Sequence, residues 1–201
     1  MTPSMDLVWP DARLLPHYEH ALRQGWCPDN LRPQAASEEL ARIARDPRRF
    51  VAEQVDREAK GPPITLPDGS RVDRLPGFCL WIWDGEFCGS IGFRWKPGTT
   101  ELPPHCPGHV GYSVVPWKRR RGYATRALRL LLPLARAEGL AHIELTTDAD
   151  NVASRRVIEA NGGILVERFP RAHAQVDGES LRFRILLDGT QRGVDSPPWG
   201  S

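Results

Sequence analysis

The stretch Val114-Val115-Pro116-Trp117-Lys118-Arg119-Arg120-Arg121-Gly122-Tyr123-Ala124-Thr125 decides how this chain is read. It joins a β-rich run stopped by proline, a basic turn, and the start of a long helical pattern. The first amides of a helix have no intrahelical partners, and the helix start carries partial positive charge. Free amides beside arginines make an anion site. Gly122 lets the backbone approach a phosphate closely, and Ala124 keeps the helix start uncrowded. Neither GxxxxGK[ST] nor GxGxxG spacing is present, so this is neither a P-loop nor a dinucleotide fingerprint. Standing alone, the same residues would also suit a solvated basic turn.

The flanking sequence supplies the context. Residues 109–115 read as a strand, and 122–138 as a helix with Leu128, Leu131, Leu132 and Ala135 on one face and Gly139 as its stop. Pro133 is discordant and should kink that helix unless the packing accepts it. Further on, 142–147 reads as a strand and 151–161 as a helix capped by Asn151 and stopped by Gly162-Gly163. Residues 164–169 and 181–187 read as two final strands. Upstream, Asp84-Gly85 joins two β-rich runs into a hairpin. The first 60 residues give a strand at 5–9, a helix at 14–24, a helix at 38–45 with Ser37 as its cap, and helical continuation over 50–58. Residues 61–77 read as an ordered loop in which Asp68-Gly69 turns a small hairpin.

Composition excludes several classes. A chain of 201 residues, 40% apolar and 26% charged, is neither disordered nor a disulfide-stapled miniprotein. The net charge of +2 is too balanced for an obligate nucleic-acid or membrane-surface binder. No run of 18 apolar residues exists, and the first twenty residues lack the uninterrupted apolar segment of a signal peptide, so the expected location is the cytoplasm. The four cysteines are widely spaced and read as reduced thiols, and the His105-to-His109 run around Cys106 is no four-ligand zinc site.

Arg119-x-x-Gly122-x-Ala124 between a strand and a long helix resembles the acetyl-CoA motif of the GNAT N-acetyltransferase superfamily. Asn151-x-x-Ser154 followed by Glu159-x-x-Gly162 resembles that family's second motif, and the likeness runs over residues 78–187. It implies an α/β fold with a mixed, mostly antiparallel sheet of about six or seven strands and about four helices. The middle strands, 109–115 and 142–147, would splay to admit acetyl-CoA. Its pyrophosphate would sit on the amides of Arg119, Arg120, Arg121, Gly122, Tyr123, Ala124 and Thr125. Its pantetheine would run along the edge at Val114 and Val115, with Asn151 and Ser154 alongside. Residues 1–188 would form one domain, and 189–201 a frayed tail.

An amine acceptor must lose a proton. Where the family often has a glutamate this chain has His109, whose ordinary pKa suits a base; Glu144, then Glu86, are the other candidates. The family's thiolate-protonating tyrosine corresponds to Ile158, which leaves Tyr112, Ser154 or water as donor. Trp81 and Trp83 share a strand face and read as core or as an acceptor wall. The expected activity is transfer of an acetyl group to a small primary amine or a peptide amino group, with two copies able to pair. A CoA-binding module without catalysis is the alternative.

Overall fold

The computed structural model describes residues 5–29, 32–66, 69–171 and 178–187. Asp68 and the segment 189–201 lie outside them. In chain order the elements are β1 (Asp6–Val8), α1 (Leu15–Arg23), α2 (Ala35–Arg45), α3 (Pro47–Ala52), β2 (Val55–Asp56), β3 (Ile64–Thr65), β4 (Arg71–Val72), β5 (Gly77–Trp83) and β6 (Phe87–Arg94). Then follow β7 (Val110–Val114), a 3-10 turn (Pro116–Lys118), α4 (Tyr123–Ala137), β8 (His142–Asp148), α5 (Val152–Glu159), β9 (Ile164–Pro170) and β10 (Glu179–Leu186).

The strands form two main sheets. One runs β1-β5-β6-β7 with β2 added on β5; the other runs β8-β10-β9, and every ladder is antiparallel. Alternation along β5, and along β6 beyond a bulge at Cys88 that turns Phe87 to the other face, separates two cores. Phe78, Leu80, Ile82, Ile91 and Phe93 face α4, whose Ala127, Leu128, Leu131 and Ala135 are fully buried against them. The same core continues under β8 and β10 through Ile143, Leu145, Phe183 and Ile185, so α4 fastens both sheets into one body. Burying each large aliphatic side chain contributes about 1.5–3 kcal/mol. On the opposite face, Tyr18, Trp26, Phe50, Trp81 and Phe87 pack under α1 to α3. Tyr18 stacks on Trp81 with ring centroids 4.9 Å apart, which places Trp81 in the core, not in a pocket wall.

Several local expectations are corrected. Ser37 does not cap α2; the helix starts earlier, with Gln34 at the cap, and the Ser37 hydroxyl donates to the Gln34 carbonyl at 2.8 Å. Asp46 is the cap that the sequence reading missed, accepting Arg49 N–H at 3.0 Å just before Pro47. The helix it starts ends at Ala52 and does not reach residue 58, because Val55 and Asp56 pair with β5. Five α-helices are present among the described residues, where about four were expected. Pro133 leaves α4 unbroken: it lies exposed in the last turns of the helix.

Candidate active site

Strands β7 and β8 lie in different sheets and meet at one end. There His109 N–H donates to the Glu144 carbonyl at 2.8 Å, and Glu144 N–H donates to His109 Nδ1 at 3.0 Å. Beyond this apex β7 pairs only with β6. Arg94 N–H donates to the His109 carbonyl, and Val115 N–H to the Cys88 carbonyl, each at 2.9 Å. With Gly111 opposite Gly92 and Ser113 opposite Ser90, antiparallel alternation turns the backbone groups of Gly111 and Ser113 toward β6. Those of Tyr112 and Val114 face the gap beside β8. The Val114 carbonyl accepts a hydrogen bond from Arg119 Nε at 3.1 Å, from outside the sheet. Val115 offers no such edge, since its amide is used by β6 and its side chain is fully buried.

The loop after β7 ends at the start of α4. Arg120 has φ of 61° and Gly122 has φ of 75°, so the chain is left-handed at two places before the helix. Glycine is needed at the second, and a Cβ built there would meet no protein atom within 4 Å, leaving the space before the loop clear. The α4 ladder begins with Arg126 N–H on the Gly122 carbonyl at 3.0 Å. The amides of Tyr123, Ala124 and Thr125 therefore point forward from the first turn. Arg119, Arg120 and Arg121 are exposed around them.

Lys118 and Tyr123 do not belong to that exposed group. Lys118 is buried, with Nζ 2.6 Å from Asp84 Oδ1 and 3.1 Å from Glu86 Oε2. The Tyr123 hydroxyl donates to Asp84 Oδ2 at 2.6 Å. Asp84 sits in the β5–β6 turn, so one carboxylate ties that hairpin to both ends of the basic loop. Burial pushes its pKa up, but hydrogen bonds from Lys118 and Tyr123 outweigh that and hold it at about 2. Burial likewise pushes the Lys118 pKa down, yet the bonds to Asp84 and Glu86 leave it raised. The cationic turn that the sequence suggested thus divides into one structural lysine and three available arginines.

The second motif lies across the gap. Asn151 Oδ1 accepts Ser154 N–H at 3.0 Å and caps α5 as expected. Ser154 Oγ is 2.8 Å from the Tyr112 hydroxyl, which bridges β7 to the start of α5. Burial pushes the Tyr112 pKa up to about 12, and the Ser154 hydrogen bond opposes it only in part. Asn161 was not foreseen; its Nδ2 donates to the Thr125 carbonyl at 3.1 Å and fastens the end of α5 to the first turn of α4. Ile158, at the place of the family's tyrosine, is fully buried in the main core.

Two of the three candidate bases occupy constrained positions. His109 is fully buried. Its Nδ1 lone pair is used by Glu144 N–H, which assigns the proton to Nε2. Burial lowers its pKa to about 4, with Glu144 opposing in part. Glu144 is ion-paired to Arg184 at 2.7 Å and Arg182 at 3.0 Å; burial raises its pKa, and the two arginines bring it below the usual range. Glu86 is exposed beside Lys118.

On the face of the sheet under α2 and α3 lies a cavity of about 1230 Å³. Cys79 and Gly92 form part of its floor, and Arg94 reaches in beside them. Arg94 escaped the sequence reading, although period two along β6 puts Ser90, Gly92 and Arg94 on this one face.

Comparison with known proteins agrees with this architecture. Residues 30–164 match the family described as Acetyltransferase (GNAT) domain, and the chain belongs to that family. No curated protein matches it in sequence. Among solved structures, it is similar to RimL, a ribosomal L7/L12 alpha-N-protein acetyltransferase in complex with coenzyme A. That match has a TM-score of 0.64 at 15% identity over 92% of this chain and 95% of that one. The microcin C7 self-immunity acetyltransferase MccE, in complex with acetyl-CoA and AMP, aligns with a TM-score of 0.59 at 12% identity over 90% and 92%. The putative acetyltransferase yncA from Salmonella typhimurium, with acetyl-CoA, aligns with a TM-score of 0.54 at 16% identity over 94% and 96%. Identities this low establish a common fold. Among the described residues, no helix is long and apolar enough to cross a membrane.

Proposed function

We propose that this protein moves the acetyl group of acetyl-CoA to a primary amine by direct attack in a ternary complex. The observation that carries the reading is the adjacency of an unpaired strand edge, at Tyr112 and Val114, to the forward-facing amides of Tyr123, Ala124 and Thr125. The amides and Arg119 to Arg121 suit a pyrophosphate, and the strand edge suits the amide groups of a pantetheine arm. The arm would take over the Val114 carbonyl from Arg119 and free that guanidinium for the phosphates. Solved members of the fold that hold CoA or acetyl-CoA support the same assignment.

The amine nitrogen attacks the thioester carbon, and the carbonyl oxygen takes negative charge. A strand amide at the edge of β7 is the donor for that oxyanion. The C–S bond then breaks, the amine gives up a proton, and the thiolate takes one. Tyr112 and Ser154, hydrogen-bonded across the gap between β7 and α5, are assigned as the proton path to the thiolate. We assign His109 to closing the apex between β7 and β8, because its one lone pair is engaged. Glu144, held by two arginines, neutralises their charge on the sheet face. The amine's proton then passes to water in the cavity, and proximity supplies much of the rate.

The test is incubation with acetyl-CoA and a panel of amines while free thiol is measured. Amine-dependent thiol release, together with a raised Tm on adding acetyl-CoA, is the expected result. If CoA raises Tm but no amine releases thiol, the binding-module alternative holds; if acetyl-CoA produces no thermal shift, the CoA assignment falls.

A further inference from the structure

The cavity under α2 and α3 is lined by several cations; Arg45 is solvent-exposed at its edge, and most of the others are already matched. Arg42 and Arg49 are both bound to Glu53, each at 2.7 Å. Lys60 pairs with Glu58 at 2.5 Å, and Arg74 Nε donates to the Pro62 carbonyl at 3.3 Å. Arg94 is different. It is half-buried on β6, and among the described residues no hydrogen bond or ion pair engages its guanidinium. The titratable groups it acts on, Cys79 and His109, are neutral at pH 7. A guanidinium taken partly out of water without an acceptor forfeits hydrogen bonds that a ligand anion would restore.

Its position is equally specific. Cys79, Gly92 and Gly111 lie side by side across β5, β6 and β7, so the sheet offers a floor almost without side chains. One Arg94 Nη stands 3.2 Å from the place a Cβ on Gly111 would occupy. Gly111 immediately precedes Tyr112, whose backbone edge is assigned above to the acyl donor. Arg94 therefore presents a planar fork of N–H donors in the cavity beside the residue that precedes the assigned acyl edge.

We infer that the acceptor is an amine that also carries a carboxylate, and that Arg94 holds the carboxylate while the amine faces β7. This rests on the acetyltransferase reading and names the substrate class of the same site. The carboxylate can belong to a free amino acid or to an acidic side chain near a peptide's amino terminus. Arg94 is thus a specificity-determining residue, and a fork-to-carboxylate pair is the geometry an arginine makes better than a lysine.

The experiment is binding without acetyl-CoA, so that it is independent of turnover. The probes are the common L-amino acids, each with its methyl ester, and amidated hexapeptides opening with Asp-Glu or with Asn-Gln. Affinities are measured by calorimetry on the wild-type chain, Arg94→Met and Arg94→Lys, with each variant's Tm recorded. The expected result is one carboxylated series bound about 10-fold or more tighter than its uncharged counterpart by the wild type. Arg94→Met, folded to a similar Tm, should bind charged and uncharged probes alike, and Arg94→Lys should recover part of the difference. Preference in the amino-acid series identifies a free amino acid, and preference in the peptide series identifies an acidic amino terminus. Equal binding of charged and uncharged probes by the wild type overturns the inference, as does a preference that survives in Arg94→Met. Absence of thiol release with a probe that binds through Arg94 would instead count against acetyl transfer.

Discussion

The carboxylate of Asp84 makes a quantitative prediction, because it is the buried group in the β5–β6 turn that binds both Lys118 and Tyr123 at the two ends of the basic loop. Its side chain is 4% exposed, and that of Lys118 is 9% exposed. A pKa held at about 2 instead of 3.8 means that the native contacts favour the ionised form. By linkage that is about 2 kcal/mol at neutral pH, present above pH 4 and lost as pH falls toward 2. Asp84→Ala removes the acceptor for both Lys118 and Tyr123 and leaves a buried ammonium with only the exposed Glu86 as counter-charge. Breaking a buried pair from one side costs about 3–5 kcal/mol; Glu86 moves the expectation to the lower end. Lys118→Met should cost a similar amount, and the double variant should cost less than the sum by about 2 kcal/mol. Urea unfolding followed by tryptophan fluorescence measures each. The loop should also lose its anchor, weakening acetyl-CoA about 10-fold in calorimetry. Losses under about 1 kcal/mol in both single variants, with acetyl-CoA affinity intact, would refute the reasoning.

Three further outcomes are expected. Gly122→Ala forces a side chain into left-handed backbone at a cost of about 1–2 kcal/mol, while Gly122→Val adds bulk in front of the loop; valine should weaken acetyl-CoA more than alanine even where the two unfold at similar urea concentrations. His109 has a folded pKa of about 4 against 6.5, so it destabilises the native state increasingly as pH falls from 6.5 to 4, by about 3 kcal/mol in all; His109→Asn, which can still accept Glu144 N–H, should flatten that part of the stability profile measured by urea titration. Tyr112→Phe keeps the ring and removes the hydroxyl, so kcat should drop about 10-fold or more while acetyl-CoA affinity is kept; an unchanged kcat would assign protonation of the thiolate to water.

Much of the cofactor half is legible in local sequence because its signals are local. A proline-stopped strand, Gly122 at a left-handed position, and Asn151 three residues before Ser154 each act within one turn of chain. What the sequence hid depends on where a side chain points in three dimensions. Lys118 looks like its three arginine neighbours, yet the 3-10 turn carries it back under the loop toward a carboxylate 34 residues earlier. His109 matches the place of the family's base, yet its imidazole closes a strand junction, which no spacing reveals. Ser37 misled because an early serine reads as a cap, whereas α2 gains its first turn from Ala35 burying against the chain. Arg94 lay within a recognisable strand, but which acceptors its guanidinium meets depends on how the helices and loops fold over that face of the sheet.

The central claim is chemical and has a direct measurement. With acetyl-CoA and an amine acceptor, mass spectrometry of the amine and a thiol assay of the same sample should show one amide bond formed for each free thiol released. Acetyl-CoA that binds at the loop yet yields no acetylated amine from amino acids, peptides or polyamines, with thiol release no faster than hydrolysis, would contradict the account.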